Sequence, residues 1–306
     1  MTEFDIAIIG SGPAGYTAAI YACRAGYSAV VFEKFSPGGQ MGLTVGIENY
    51  PGFETIDGFE LNERMMKQAE ALGAVIKYEE AAKITKNGGE ITVKTTKDEY
   101  SCRAVIIGTG ASPRKLDVLG EREFAGRGVS YCATCDGAFF RKKTVAVVGG
   151  GDSAVKEALY LSNIANKVYI IHRRDTFRAS PHDSGKLAEK ENIIPIYDST
   201  VDEIKGDMKV NGLVVRNVKS GEKTAVDCDG VFVSIGRVPD SSLVSGLAET
   251  DENGYIIAGE NCVTSCPGIF AIGDVRTKAL RQIVTACADG ANAVRSCEDY
   301  LSGKTI

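Results

Sequence analysis

Cys132 and Cys135, in Cys132-Ala133-Thr134-Cys135-Asp136, are the residues of this chain best suited to chemistry. Thiolates exchange with disulfides through mixed-disulfide attack, and two cysteines spaced by two residues can close into a ring and reopen reversibly. An acid follows the pair directly, and a glycine-rich turn, Gly149-Gly150-Gly151, lies just downstream. A dithiol beside a nucleotide turn points to electron transfer. The alternative is half of a zinc site, for which only His172 and His182 are at hand to complete a mixed ligand set.

The elements that must position this pair form one unit used twice: strand, glycine turn, helix, strand. The first copy runs from Ile6-Ala7-Ile8-Ile9 through Gly10-Ser11-Gly12-Pro13-Ala14-Gly15 to a helix predicted over Tyr16 to Ala25, then a strand from Ser28 to Phe32 ending at Glu33. The second runs from Thr144 to Val148 through Gly149-Gly150-Gly151-Asp152-Ser153-Ala154 to a helix over Val155 to Asn163. Its second strand, Lys167 to Ile171, ends at His172-Arg173-Arg174. Continuous apolar runs of this kind read as buried parallel strands.

In the first turn Gly10 permits the tight bend, Gly12 admits a pyrophosphate and Gly15 lets the helix pack close to the strand. Pro13 suits the first helical turn, whose remaining N–H groups face an anion. Glu33 can accept hydrogen bonds from an unphosphorylated adenosine ribose. The second turn keeps Gly149 and Gly151 with Ala154 in the third place, but its second strand ends in bases. His172, Arg173, Arg174 and, a little further on, Arg178 could clamp a 2′-phosphate through bidentate hydrogen bonds, favouring NADPH over NADH. The alternative is a solvated basic turn.

At 306 residues two domains of about 150 are expected. A net charge of -5 with 25% charged residues of mixed sign gives no field for nucleic acid and no cationic face for a membrane. No apolar run reaches transmembrane length, and the early strand Phe4 to Ile9 leaves no leader pattern, so a cytoplasmic protein is expected. Nine cysteines, an odd count, fit a reducing compartment and mostly buried thiols.

A β-rich stretch, Glu90 to Thr96 and Tyr100 to Ile107, closes on Gly108-Thr109-Gly110-Ala111-Ser112-Pro113, which reads as a domain crossing. The return is expected at Gly236-Arg237-Val238-Pro239-Asp240. The tail, with Gly268 to Asp274 and a helix over Ile283 to Tyr300, would rejoin the first domain. The fold class is therefore α/β with two Rossmann-like domains, the first discontinuous: 1–114 and 244–306, with 115–243 inserted.

With these motifs in hand, the chain resembles the low-molecular-weight thioredoxin reductases, flavoproteins of the pyridine-nucleotide disulfide oxidoreductases. The likeness covers essentially the whole chain. It rests on the first glycine turn, Gly38-Gly39-Gln40, Glu48-Asn49-Tyr50-Pro51-Gly52, Thr109-Gly110-Ala111, the dithiol with Asp136-Gly137, the second turn, the His172 to Arg178 cluster, and Gly273-Asp274 followed by Arg281-Gln282.

The resemblance implies FAD in the first site, with Asp274 on its ribityl chain and Gly39, Gln40, Asn49, Thr109, Gly110, Arg281, Gln282 and Ile283 among its contacts. It implies NADPH in the second site, oxidised thioredoxin or a thioredoxin-like protein as partner, and a homodimer. Cys135 would face the flavin, Cys132 attack the substrate disulfide, and Asp136 move protons. Independently, Asp274 ends a buried strand after a glycine, where a carboxylate can meet a ligand hydroxyl. A helix cap is the alternative for Asp274, and helix N-capping for Asp136. Because the dithiol belongs to the nicotinamide domain, nicotinamide and Cys135 would compete for one flavin, with the crossings at 111–115 and 236–240 as hinge.

Cys262 and Cys266 fall outside the family pattern and read as bystander thiols, with a second redox pair or metal clip as alternative. Pro181-His182 sits oddly where a helix should begin. Rival functions are a ferredoxin-dependent flavin thioredoxin reductase, which the intact second turn and its arginines oppose, a small-molecule dithiol oxidase, and a non-catalytic redox sensor.

Overall fold

The computed structural model describes residues 2–34, 37–44 and 46–304. They form two compact units, 1–112 with 238–306, and 113–237.

In the first unit, Ile6 to Ile9 of β1 (Thr2–Ile9) are all buried, as a strand covered on both faces must be. A glycine turn leads to α1 (Pro13–Arg24), which returns to β2 (Ala29–Phe32), and α2 (Gly58–Ala71) leads to β3 (Val75–Lys77). Asp57 caps α2 by accepting from the N–H groups of Phe59 and Glu60. An antiparallel pair, β4 (Ala81–Asn87) and β5 (Glu90–Thr95), feeds β6 (Glu99–Ile107). The sheet order is β3-β2-β1-β6-β5-β4, with β1 parallel to both β2 and β6. Side chains alternate along β1: Ile6 and Ile8 join the core under α1 and α2, while Ala7 and Ile9 join the core on the other face.

The chain leaves through β7 (Ala111–Pro113). The second unit opens with β8 (Val129–Ser130) and the single-turn α3 (Ala133–Asp136). Then come β9 (Thr144–Val148), α4 (Asp152–Ser162), β10 (Lys167–Ile171), α5 (Pro181–Ala188) and β11 (Ile193–Ile196). The odd Pro181 is resolved by its place: it is the first residue of α5, and Ser180 caps that helix by accepting from the Asp183 N–H at 3.2 Å. A three-stranded meander, β12 (Ser199–Gly206), β13 (Val210–Asn217) and β14 (Lys223–Asp227), precedes β15 (Gly230–Val233). The parallel sheet has the order β11-β10-β9-β15-β8.

The chain returns through β16 (Arg237–Pro239), which pairs with β7. The unit boundary thus falls at 237/238, ahead of the 243/244 read from the sequence. The reason is local: Asp240 donates its N–H to Gly110 O at 3.0 Å and its carboxylate meets Lys34 at 2.7 Å, which ties 238–243 to the first unit. The tail adds β17 (Ile269–Ala271), parallel to the end of β6, and α6 (Ile283–Leu301).

Candidate functional site

In the first unit β1, β2, β6 and β17 are parallel, so their C-terminal ends share one edge of the sheet, where open α/β sheets place ligands. Gly15 is required there: a Cβ would run into the Gly10 carbonyl oxygen. At Gly12, the N-cap of α1, a Cβ would meet no protein atom within 4 Å, and no side chain caps the helix. The turn therefore presents bare backbone N–H groups and the positive end of a dipole. Ala14 is buried beside it. Glu33 ends β2 almost fully buried and accepts from Ser11 Oγ at 2.6 Å and Ser11 N at 3.2 Å, which aims the carboxylate at the turn.

Other expected residues gather on the same edge. The Gly38 N–H docks on Ser11 O at 3.2 Å, Gln40 donates its amide to Ala111 O, and Thr109 donates its hydroxyl to Asp240 O, next to Gly110. Asn49 Nδ2 donates to Gln282 Oε1 at 3.0 Å, and Gln282 forms a capping box with Thr285 ahead of Ile283. Asp274 lies partly buried in the turn after β17, its carbonyl accepting from Arg281 Nε at 3.3 Å. Arg281 also donates to the carbonyls of Arg276 and Lys278 and stacks over the Tyr255 ring at 4.1 Å.

Sequence reasoning missed what holds this loop. Asp289, in the middle of α6, accepts from Gly273 N at 2.8 Å, takes Arg276 through both oxygens at 2.9 and 2.6 Å, and pairs with Lys278 at 2.8 Å. All three charged side chains are at least nine-tenths buried. The only signal was an acid on the otherwise small and apolar face of Ala286, Gly290 and Ala293. Burial alone would raise the Asp289 carboxyl, but Arg276 and Lys278 outweigh it and hold it below its ordinary range. Such a group stabilises the fold above its unfolded-state value, a contribution lost as pH falls through the folded-state value. Asp289→Asn, which leaves two buried cations unmatched, is expected to cost about 3–5 kcal/mol at neutral pH. Urea unfolding from pH 7 to pH 3 should show wild-type stability falling in acid toward that of the variant; parallel curves would exclude this role.

In the second unit the turn after β9 repeats the plan. Gly151 is the N-cap of α4, again uncapped by any side chain and with no protein atom near a Cβ. Gly150 is obligatory for a different reason: a Cβ there would collide with the His172 ring. His172 is therefore not on the open face with the arginines. It is 4% exposed, against Phe177 with ring centroids 5.8 Å apart, and its Nε2 has no partner among the described residues. Burial, then the charges of Arg178, Arg174 and Arg173, hold its imidazole below the ordinary value and hence neutral. Those three arginines are exposed, and none has an acidic partner among the described residues. Arg178 is anchored by its N–H on Gly150 O at 2.7 Å, and Asp152 accepts from Ser180 N at 2.9 Å. Ser153 is exposed in the first turn of α4, and Ala154 is buried under it. Gly149 donates its N–H to Ile171 O at 3.0 Å.

Cys132 and Cys135 are joined as a disulfide, their Cα atoms 5.3 Å apart, with Cys132 at the N-cap position of α3. Both are partly buried. Ser130 Oγ donates to Asp136 Oδ2 at 2.6 Å and accepts from Cys132 N at 3.1 Å, which links the acid to the dithiol. Burial raises the Asp136 carboxyl, opposed by the Ser130 hydrogen bond. Phe139, 46% exposed, follows on the surface. Cys262 and Cys266 are not bonded to each other. Cys262 is fully buried, its thiol pushed up to about 12 by burial and donating to Asp289 O at 3.5 Å.

A closed Cys-x-x-Cys disulfide and a bare nucleotide turn in one unit, with a second such turn in the other, are the parts that a dinucleotide-dependent disulfide oxidoreductase needs. The family model described as pyridine nucleotide-disulphide oxidoreductase matches residues 4–290. The chain belongs to this family. Within the pyridine nucleotide-disulphide oxidoreductases it is of the bacterial thioredoxin reductase type. It is 46% identical over 301 residues to the thioredoxin reductase of Treponema pallidum, covering 98% of both chains. It is 45% identical over 299 residues to that of Bacillus subtilis, covering 97% of this chain and 95% of the other. The crystal structure of thioredoxin reductase from Streptococcus pyogenes matches with a TM-score of 0.92 at 46% identity over 99% of each chain. As a member of this type the reductase is an oxidoreductase dependent on FAD and NADPH. No helix among the described residues is long and apolar enough to cross a membrane.

Proposed function

We propose that the chain passes electrons from NADPH through FAD to the Cys132–Cys135 disulfide and on to oxidised thioredoxin, working as a cytoplasmic homodimer. The observation that carries this most is the closed disulfide beside Asp136, in the same unit as a bare nucleotide turn and three arginines that have no acidic partner among the described residues.

The residues fit the two cofactors. Bare backbone at Gly12, with Glu33 aimed at the turn and Asp274 at the end of β17, suits FAD in the first unit. Arg173, Arg174 and Arg178 beyond Gly151 suit the 2′-phosphate of NADPH in the second, while buried neutral His172 supports the turn from beneath. FAD, when bound, relays two electrons between a nicotinamide hydride and a disulfide. One hydride and one proton leave Cys132 and Cys135 as two thiols. The Cys132 thiolate then attacks the substrate disulfide, Cys135 resolves the mixed disulfide, and the substrate departs as a dithiol. Nicotinamide turn and dithiol sit in one unit, so alternate use of a single flavin requires the crossings at 111–115 and 236–240 to flex.

Asp136 keeps its proton to higher pH than an ordinary carboxyl and touches the dithiol through Ser130, which suits a proton donor and acceptor. Asp136→Asn should lower disulfide reduction by about 10²-fold or more. Stopped-flow traces of flavin reduction by NADPH should stay at the wild-type rate, and a variant turning over normally would remove Asp136 from the chemistry. Ferredoxin as donor is disfavoured by the intact turn and its arginines. The test of the whole assignment is NADPH-driven insulin reduction with and without thioredoxin. Turnover should require thioredoxin, and turnover indifferent to it would redirect the substrate.

A further inference from the structure

Glu121 is completely buried, yet its carboxylate has no part in the chemistry described above. It lies in the turn ahead of β8. One oxygen accepts from Leu116 N and from the Tyr131 hydroxyl, each at 2.9 Å, and the other accepts from Asp117 N at 2.7 Å. A buried carboxylate is tolerated only when donors surround it in this way. Asp117 is held at φ 56, a conformation a non-glycine residue adopts rarely. The carboxylate thus fixes the stretch that follows the first crossing.

Its third donor reaches the chemistry. Tyr131 directly precedes Cys132, and its ring packs on the core that contains Val215 and Val231. The entry to the dithiol is therefore pinned from two sides, by Ser130 on Asp136 and by Tyr131 on Glu121. We propose that Glu121 and Tyr131 are positioning residues for the dithiol, and that their hydrogen bond sets the dithiol–disulfide equilibrium of Cys132 and Cys135. The physical cause is ring closure. The disulfide needs the two Cα atoms 5.3 Å apart, and a backbone already fixed at Tyr131 loses less freedom on closing. Loosening it disfavours the closed form, so the pair becomes easier to reduce and a poorer reductant.

This inference rests on the dithiol reading but not on thioredoxin, so it is tested with the holoenzyme equilibrated in dithiothreitol redox buffers, followed by thiol trapping. Tyr131→Phe, which removes one hydroxyl, should shift the Cys132–Cys135 equilibrium about tenfold toward the dithiol, close to 30 mV for a two-electron couple. It should lower kcat for disulfide reduction while leaving ferricyanide reduction by NADPH at the wild-type rate. Glu121→Gln should give a similar shift and the double variant little more, because the two act as one unit. Val215→Ala, a cavity in the same core, should lower the melting temperature without moving the equilibrium. A folded Tyr131→Phe enzyme with wild-type equilibrium and kcat would overturn the proposal, leaving the bond a stability contact. A wild type with a titratable pair but no thioredoxin turnover would instead dismiss the partner and leave this inference standing.

Discussion

Cys135→Ser will give a reductase whose flavin NADPH still bleaches but which reduces no disulfide. The residues proposed to hold the dinucleotides, namely the glycine turns, Glu33, Asp274 and the arginines, are untouched by the substitution, so reduction of flavin by NADPH should persist. What disappears is the thiol proposed to resolve the mixed disulfide. Turnover should fall by about 10³-fold or more, as when one member of a catalytic unit is removed. Cys132 remains and can still attack, so thioredoxin should accumulate as a covalent adduct in the Cys135→Ser protein. Cys132→Ser loses the same turnover but traps nothing. Non-reducing electrophoresis of both variants after incubation with oxidised thioredoxin separates these outcomes. Trapping by Cys132→Ser instead would reverse the roles of the two sulfurs, which burial within the unit does not rank.

Replacing Arg173 and Arg174 by alanine will convert a strong preference for NADPH into near indifference. Hydrogen bonds between a guanidinium and a phosphate contribute about 1.5–3 kcal/mol each. Two lost together raise KM for NADPH by about 10² to 10⁴, with exposure of the pair favouring the lower end. NADH lacks the 2′-phosphate and should be little affected. The same variant should lose the salt dependence of KM for NADPH. Steady-state kinetics with both nucleotides at two ionic strengths check this, and an equal rise in KM for both would remove the arginines from phosphate recognition.

The residues legible in the sequence were those whose chemistry is local. Both glycine turns declare themselves because strand, turn and helix follow within a dozen residues, and the dithiol because ring closure needs only two intervening positions. His172 was placed with its arginine neighbours, yet successive residues leaving β10 point to opposite sides, so it went under Gly150 while Arg173 faces out. Asp289 with Arg276 and Lys278, and Glu121 with Tyr131, could not be read at all. Their partners meet only when α6 crosses the turn after β17, or when the loop after β7 folds over β8. Such pairings depend on packing, which composition and period do not encode. The return crossing at 236–240 was legible, but the domain bound at 243/244 was set late, since Asp240 is held by Lys34 and Gly110, far away in the chain.

The central claim is that electrons move from NADPH through flavin into Cys132–Cys135. Anaerobic titration of the FAD-loaded protein with NADPH measures this directly by counting reducing equivalents. The wild type should take up one equivalent with little bleaching as the disulfide opens, then a second that bleaches the flavin, and the Cys135→Ser variant should bleach with the first. A wild type whose flavin bleaches fully with a single equivalent, while the Cys132–Cys135 disulfide stays closed, would contradict the account.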